Sequence, residues 1–286
     1  MHLCILIPDP AYPEPFAWAF HVEAEALREA GAEVTARPWT QPGDLTPFDL
    51  VLPLVAWGYH LRFTDWLALL DRLEAERVRV VNPVPLLRWN SDKAYLTELG
   101  ASGVPTVPTL AVDHLNEAAL TAAHGVFASD ELVIKPPVSA SAWGTFRLGR
   151  GDPVPEEVFG DRMLIQPWLG SVTTDGEYSL FVFGGEVSHA VVKRPKAGDF
   201  RVQPDHGGTS VACEAPEGAV ELARAALEAA PAEAAYARVD MLRGNDGALQ
   251  IIELELIEPA LFLHNVPEAK GRFAAAILSA AERASE

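Results

Sequence analysis

The sequence is 286 residues long, 49% hydrophobic, and carries a formal net charge of −18 at pH 7. A chain of this length buries a substantial core and is expected to divide into two or three lobes. The acidic excess argues against nucleic acid or an anionic membrane as partner, because such binding depends on Lys and Arg. The first apolar run is too short to span a bilayer and no basic secretion signal precedes it, so we expect a cytoplasmic protein.

The first part of the chain alternates short apolar runs with helical patterns. We predict strands at 2–8, 33–39, 50–57 and 78–83, and helices at about 16–31 and 64–77. Strands that alternate with helices predict a small parallel sheet covered on both faces. No GxGxxG follows the first strand, which argues against a Rossmann dinucleotide site.

After Pro85 the pattern changes to an α+β half with antiparallel strands. We predict helices at about 91–99, 116–124 and 268–282, and mostly strands after residue 124. Two hairpins have strong turn signals, one at Gly184-Gly185 and the other at Asn245-Asp246-Gly247.

The second hairpin brings carboxylates together. If Asp246-Gly247 is its two-residue loop, Asp240 lies opposite Glu253, and Glu255 points to the same face. Like charges opposite each other on a sheet repel, so the pattern favours a cation, and Mg²⁺ shared with phosphate oxygens is the natural candidate. The same register sets Arg238 opposite Glu255, and a plain ion pair is the alternative.

Three further segments carry candidate binding groups. Lys135 ends an apolar strand, and the small residues 139–144 after it could offer N–H groups to phosphate, although a solvated hairpin explains them as well. Residues 163–169 form an apolar strand that could present peptide groups and Trp168 to an adenine, or place a tryptophan in the core. Glu177 could bind ribose hydroxyls or be a solvated strand end, and the basic loop 193–208 suits an anionic substrate.

The order of these features resembles the ATP-grasp superfamily, most closely its glutathione-synthetase-like branch, which includes the bacterial ligase that closes the cycloserine ring. The resemblance implies an N-terminal α/β domain at 1–88 and a two-lobed ATP-grasp domain at 89–286, with lobes at about 89–165 and 166–286. It covers nearly the whole chain.

The resemblance also implies roles for individual residues. Lys93 in NSDKAYL and Lys135 in VIKPP would contact ATP phosphates, together with Ser139 and Ser141 of the small loop. The adenine hinge would comprise Gln166, Pro167, Trp168 and Leu169, and Glu177 would bind the ribose. The metal ligands would be Asp240, Glu253 and Glu255, holding magnesium or manganese. Arg194 would steady the transferred phosphoryl group and the tetrahedral intermediate, and Arg201 would belong to the substrate loop.

Two departures qualify this pattern. Glutathione synthetases usually have Asn where this chain has Glu255, which keeps the Arg238 ion pair open. The small loop has fewer glycines than is usual and contains Trp143. The resemblance implies an ATP-dependent carboxylate-amine ligase that works through an acyl phosphate on small-molecule carboxylate and amine substrates. A small-molecule kinase and a nucleotide-binding protein without turnover are the alternatives, and a homo-oligomer is left open.

Overall fold

Three β-sheets carry the architecture of the computed structural model, which describes residues 1–283. The first sheet is parallel, with the order β2-β1-β3, and consists of β1 (His2–Ile7), β2 (Glu33–Pro38) and β3 (Leu50–Leu52). Helices α1 (Ala17–Glu29) and α2 (Phe63–Ala75) cover its two faces, because alternate β1 residues point to opposite sides. This confirms the predicted sheet. The expected strand at 78–83 contributes only one bridge, between Val80 and Val51.

The second sheet is antiparallel, with the order β4-β7-β5-β6. Its strands are β4 (Leu110–Val112), β5 (Glu131–Lys135), β6 (Phe146–Gly149) and β7 (Met163–Pro167). Helix α5 (Glu117–Phe127) packs against it. Asn116 caps this helix by accepting a hydrogen bond from the N–H of Ala119 at 2.9 Å, as a preferred N-cap residue does.

Two short helices replace the single helix predicted at 91–99. They are α3 (Val84–Asn90) and α4 (Tyr95–Ala101). The break between them holds Lys93, whose N–H donates to the carbonyl of Pro137 at 2.8 Å. The Asp92 side chain accepts from the N–H of Ala94, and such local side-chain bonds compete with helix continuation.

The third sheet is antiparallel, with the order β10-β9-β8-β11-β12. Its strands are β8 (Glu177–Phe183), β9 (Glu186–Arg194), β10 (Thr209–Cys213), β11 (Tyr236–Arg243) and β12 (Leu249–Glu255). A short helix, α6 (Ser171–Thr174), precedes it, and α7 (Ala219–Glu228) and α8 (Ala269–Arg283) pack on it. The prediction missed α7, although its buried residues Ala219, Leu222, Ala223 and Ala226 follow helical spacing.

The two hairpins differ in how they reach their register. In the first, Phe183 pairs with Glu186, and Gly184 and Gly185 both have positive φ, which confirms the predicted turn. The second has a longer loop, since the N–H of Gly244 bonds to the carbonyl of Ala248. A β-bulge at Ile252 then shifts the register by one residue.

The N-terminal sheet does not have a core of its own. The face that carries Leu3 and Ile5 shares one hydrophobic cluster with Phe181 of β8 and with Phe273 and Ile277 of α8. The domain limits at 88 and at about 165 stay predictions; the second of them falls inside β7, and residues 284–286 lie outside the described residues. No helix within residues 1–283 is long and apolar enough to cross a membrane.

Candidate active site

A cavity of about 550 Å³ lies where the three sheets meet. All but one of the residues named from the sequence line it: Lys93, Lys135, Ser139, Ser141, Gln166, Pro167, Trp168, Leu169, Glu177, Arg201, Asp240, Glu253 and Glu255. The exception is Arg194, which is exposed and lies outside the cavity lining. The structure therefore brings distant segments of the chain into one pocket, and it leaves the expected catalytic arginine out of it.

Lys135 is a buried cation with little compensation. It ends β5 with 7% of its surface exposed, and its Nζ lies 3.5 Å from the carbonyl of Ile252. Burial lowers the pKa of Lys135 to about 8, although Glu253 partly opposes this shift. An ammonium group that is buried and weakly bonded is suited to an anionic ligand that enters the cavity.

Lys93 lies between α3 and α4, and its side chain contacts both the small loop at 139–144 and the hairpin of β11 and β12. Its Nζ donates to the backbone carbonyl of Ser139 and lies 3.2 Å from Oε1 of Glu253. Within the loop, Ser141 and Ala142 have positive φ, which non-glycine residues adopt only rarely. The loop is therefore held in an uncommon conformation beside two lysines.

The structure confirms that Asp240 and Glu253 face each other across β11 and β12. Asp240 is nevertheless fully engaged: its carboxylate accepts from Ser179 Oγ at 2.5 Å, Lys193 Nζ at 3.1 Å and Arg238 Nη2 at 3.0 Å. Burial alone would raise the pKa of Asp240, but the charges of Arg238 and Lys193 hold it well below its usual range. The repulsion expected from the sequence is thus offset by buried cations.

Arg238 also forms the cross-strand ion pair with Glu255 that the sequence left open. Burial, together with the charges of Glu253 and Asp240, raises the pKa of Glu255 to about 8 against the opposing effect of Arg238. The ion pair and the carboxylate cluster therefore exist together.

The donor set fits a divalent cation that shares its coordination with a ligand. Within residues 1–283 no three metal-binding side chains converge as in a closed metal site. Glu253 and Glu255 have 27% and 25% of their side chains exposed, while Asp240 has 3%, so the first two are the accessible carboxylates. Mg²⁺ commonly takes one or two carboxylates and completes its shell with phosphate oxygens and water.

Lys193 lines the pocket, whereas Arg194, for which the resemblance implied a role at the phosphoryl group, does not. Successive strand residues face opposite sides, so only one of the two can point inward. Lys193 is 6% exposed, and its Nζ lies 2.5 Å from Glu177 and 3.1 Å from Asp240. A β-bulge between Phe181 and Val182 sets this register, and no sequence signal marked it.

The predicted adenine hinge at 166–169 lies at the cavity wall, and the ring of Trp168 packs against two other side chains. The guanidinium carbon of Arg147 lies 4.0 Å from its ring centroid, and the centroids of the Trp168 and Phe200 rings are 5.5 Å apart in an edge-to-face arrangement. Gln166 is buried and donates to Thr109 Oγ1 at 2.9 Å. The side chains of both hinge residues therefore have partners within the protein.

Two remaining predicted residues are held by local partners. Burial raises the pKa of Glu177, and Lys193 opposes that shift. Arg201 lines the cavity, and its guanidinium bonds to Asp199 at 2.8 Å within the same loop. Glu177 and Arg201 each form an ion pair with a neighbouring side chain.

Three pocket carboxylates were not singled out in the sequence: Glu14, Asp205 and Glu258. Glu258 lies three residues after Glu255, and Leu256 and Ile257 between them are both buried. The alternation of β12 is therefore interrupted before Glu258 and could not have identified it.

Comparison with known proteins places these features in a family. Residues 7–82 match the family model described as the N-terminal domain of the D-cycloserine synthetase DcsG. The cycloserine biosynthesis protein DcsG of Streptomyces lavendulae is 32% identical over 278 residues, which cover 88% of this chain and 90% of that protein. The crystal structure of D-cycloserine synthetase DcsG superposes with a TM-score of 0.83 at 28% identity, with 99% of each chain covered.

A more distant neighbour agrees on the fold. The D-alanine–D-alanine ligase from Bacillus anthracis has a TM-score of 0.74 at 17% identity and covers 99% of this chain and 98% of its own. These matches confirm the predicted fold class, a parallel α/β unit followed by the two-lobed ATP-grasp fold.

Proposed function

Because the chain belongs to the ATP-grasp ligase family of the cycloserine biosynthesis protein DcsG, an enzyme family that forms C–N bonds, we propose that it is an ATP-dependent carboxylate-amine ligase. ATP phosphorylates the carboxylate of a small molecule, and an amine then displaces phosphate from the acyl phosphate. The products besides the amide are ADP and phosphate.

One observation carries this proposal: a single cavity places three buried lysines against an acidic hairpin. Lys93, Lys135 and Lys193 all line it, opposite Glu253 and Glu255. Lysines bind the phosphates of ATP as compact charges, and the cavity holds no side chain that must act as a covalent nucleophile. The pattern supports phosphoryl transfer by positioning and charge compensation.

The roles proposed for the individual pocket side chains follow from their contacts. Lys135, the least compensated cation, is placed to receive a phosphate, and Lys93 can exchange Glu253 for a phosphate oxygen while it holds the small loop. Lys193 and Arg238 would stabilise the oxyanion that develops on the acyl oxygen of the tetrahedral intermediate, the role expected for Arg194. Gln166 and Trp168 line the nucleotide end.

Glu253 and Glu255 are the residues proposed to hold magnesium, or manganese in its place. Bound there, the metal would neutralise the polyphosphate and polarise its oxygens. Asp240 can join them only when Lys193 or Arg238 releases its Oδ2. Each of the three carboxylates therefore has a cationic partner within the protein that a metal ion would have to replace.

The test is a product analysis with a panel of amino and ureido acids. A ligase releases ADP and phosphate only when its carboxylate is present, forms no AMP, and yields a hydroxamate when hydroxylamine intercepts the acyl phosphate. A stable phosphorylated product would show a kinase instead. Mg-ATP that fails to raise the melting temperature at millimolar concentration would remove the proposal, since a ligand that binds the folded state must stabilise it.

A further inference from the structure

The cavity lining carries three carboxylates besides Glu177 and those of the β11–β12 hairpin. They are Glu14, Asp205 and Glu258, and besides burial their charges raise the pKa of the Tyr12 phenol. A cavity lined by both cations and carboxylates suits a ligand that carries charges of both signs.

Glu258 stands apart from the other carboxylates around the hairpin. Each of those pairs with a cation within 4.0 Å: Glu177 with Lys193, Asp240 with Lys193 and Arg238, Glu253 with Lys93, and Glu255 with Arg238. Across residues 1–283, Glu258 has no such ion pair and no side-chain hydrogen bond to another residue. Burial raises its pKa to about 7, and the charges of Lys93 and Arg238 counteract this while Glu253 adds to it. An inward-facing carboxylate without a counterion is suited to a cation supplied by the ligand.

Aromatic rings continue from Glu258 along the cavity wall. The indole N–H of Trp57 donates to the carbonyl of Glu258 at 3.1 Å, and the Trp57 ring lies 5.6 Å from that of Trp18. The Trp18 ring lies 5.6 Å from His264, which in turn stacks on Phe262 at 5.8 Å. All four rings line the cavity, and they join the N-terminal domain to the segment after β12. Aromatic faces attract organic cations as well as apolar groups.

We propose that Glu258 and this aromatic wall form the subsite for a positively charged nitrogen of the substrate, an ammonium group carried near the acyl carbon that is activated. The assignment rests on the proposed ligase function for the identity of the ligand bound at the lysines. Arg238 links the hairpin to the segment of Glu258, since it contacts Asp240 and donates to the carbonyl of Ala260 at 3.4 Å. A bound amino acid would therefore direct its carboxylate toward Arg238 and the phosphates and its ammonium toward Glu258.

Matched pairs of ligands test this subsite without turnover. Both enantiomers of alanine, serine, 2,3-diaminopropionate and citrulline are compared with the acids that lack the α-amino group, by calorimetry in the presence of magnesium and a non-hydrolysable ATP analogue. At least one amino acid is expected to bind tenfold or more tightly than its deamino partner, on the order of a charged hydrogen bond. Glu258→Gln should remove that preference and leave the affinity for the ATP analogue unchanged.

Two further variants keep the result interpretable. Glu157→Gln alters an exposed glutamate that does not line the cavity and should leave the preference intact. Trp18→Leu alters a ring that is 43% exposed, and it should weaken the amino acid several-fold even if Glu258→Gln folds poorly. Equal binding within every pair, no binding by any member, or a preference that survives both variants at the subsite would overturn the assignment.

The two proposals fail in distinguishable ways. A protein that forms hydroxamates but shows no preference for the amino group is a ligase without this subsite. A protein that shows the preference and loses it in Glu258→Gln, yet releases no ADP or hydroxamate with any acid, has the subsite without the ligase activity.

Discussion

Replacing Lys193 by Met removes the cation that joins Glu177 to Asp240 in the pocket. Removal of one partner of a buried ion pair typically costs about 3–5 kcal/mol, because a charge is left buried without compensation. Here Asp240 keeps Arg238 and Ser179, and Glu177 can take up a proton, since burial already raises its pKa. We therefore expect a loss near the lower end of that range, about 3 kcal/mol, in the free energy of unfolding measured by urea denaturation.

The matched control is Arg194→Met on the adjacent residue of β9. Arg194 is exposed, so its loss should change the stability by no more than about 0.5 kcal/mol. In the hydroxamate assay, at a temperature where both variants are folded, Lys193→Met should lose roughly a hundredfold or more in rate and Arg194→Met little. An inactive Arg194→Met beside an active Lys193→Met would refute the assignment of Lys193 and restore the prediction made from the sequence.

Three other changes probe the pocket and the core. Lys135→Ala should reduce the rise in melting temperature produced by Mg-ATP, and an undiminished rise would contradict its placement at the phosphates. Glu255→Gln should remain folded, because Arg238 keeps Asp240, but should lose turnover; activity near that of the wild type would leave Glu255 as an ion-pair partner alone. Burial lowers the pKa of His189 to about 4, so the unfolded state binds the extra proton first and the stability of the wild type should fall as the pH drops from about 6.5 to 4. In parallel urea denaturation series, His189→Gln should reduce this loss of unfolding free energy by at most about 3 kcal/mol. If the variant and the wild type have the same pH profile, His189 is not held neutral in the folded state.

In the hairpin of β11 and β12, the predicted pairing of carboxylates is correct although the loop length used to predict it is not. The prediction used a two-residue loop to set Asp240 opposite Glu253, and that pairing is confirmed. The loop is in fact one residue longer, and the bulge at Ile252 restores the register. Turn residues and side-chain alternation are visible in a sequence, whereas a bulge depends on packing around it. The carbonyl of Ile252 lies near Lys135 Nζ, so the bulge also places an acceptor in the pocket.

The points at which the structure departs from the sequence predictions share a physical origin in tertiary packing. Lys193 and Arg194 both carry a positive charge, and only the register of β9 decides which one enters the pocket. The helix expected at 91–99 is broken where the backbone of Lys93 bonds to Pro137, a contact between segments far apart in the sequence. Glu258 lacked any motif, because its role depends on the aromatic rings that the N-terminal domain supplies.

The charges of the pocket are balanced by ion pairs that bound ATP and metal would replace rather than supplement. Around the hairpin, five carboxylates face four cations: Glu177, Asp240, Glu253, Glu255 and Glu258 against Lys93, Lys135, Lys193 and Arg238. A phosphate that binds a lysine releases a carboxylate, and a released carboxylate becomes available to a metal ion. Nucleotide and metal should therefore bind cooperatively, because each frees the partner that the other needs. The ion pairs also offset the repulsion between the carboxylates, so a site with so much like charge is compatible with a stable fold.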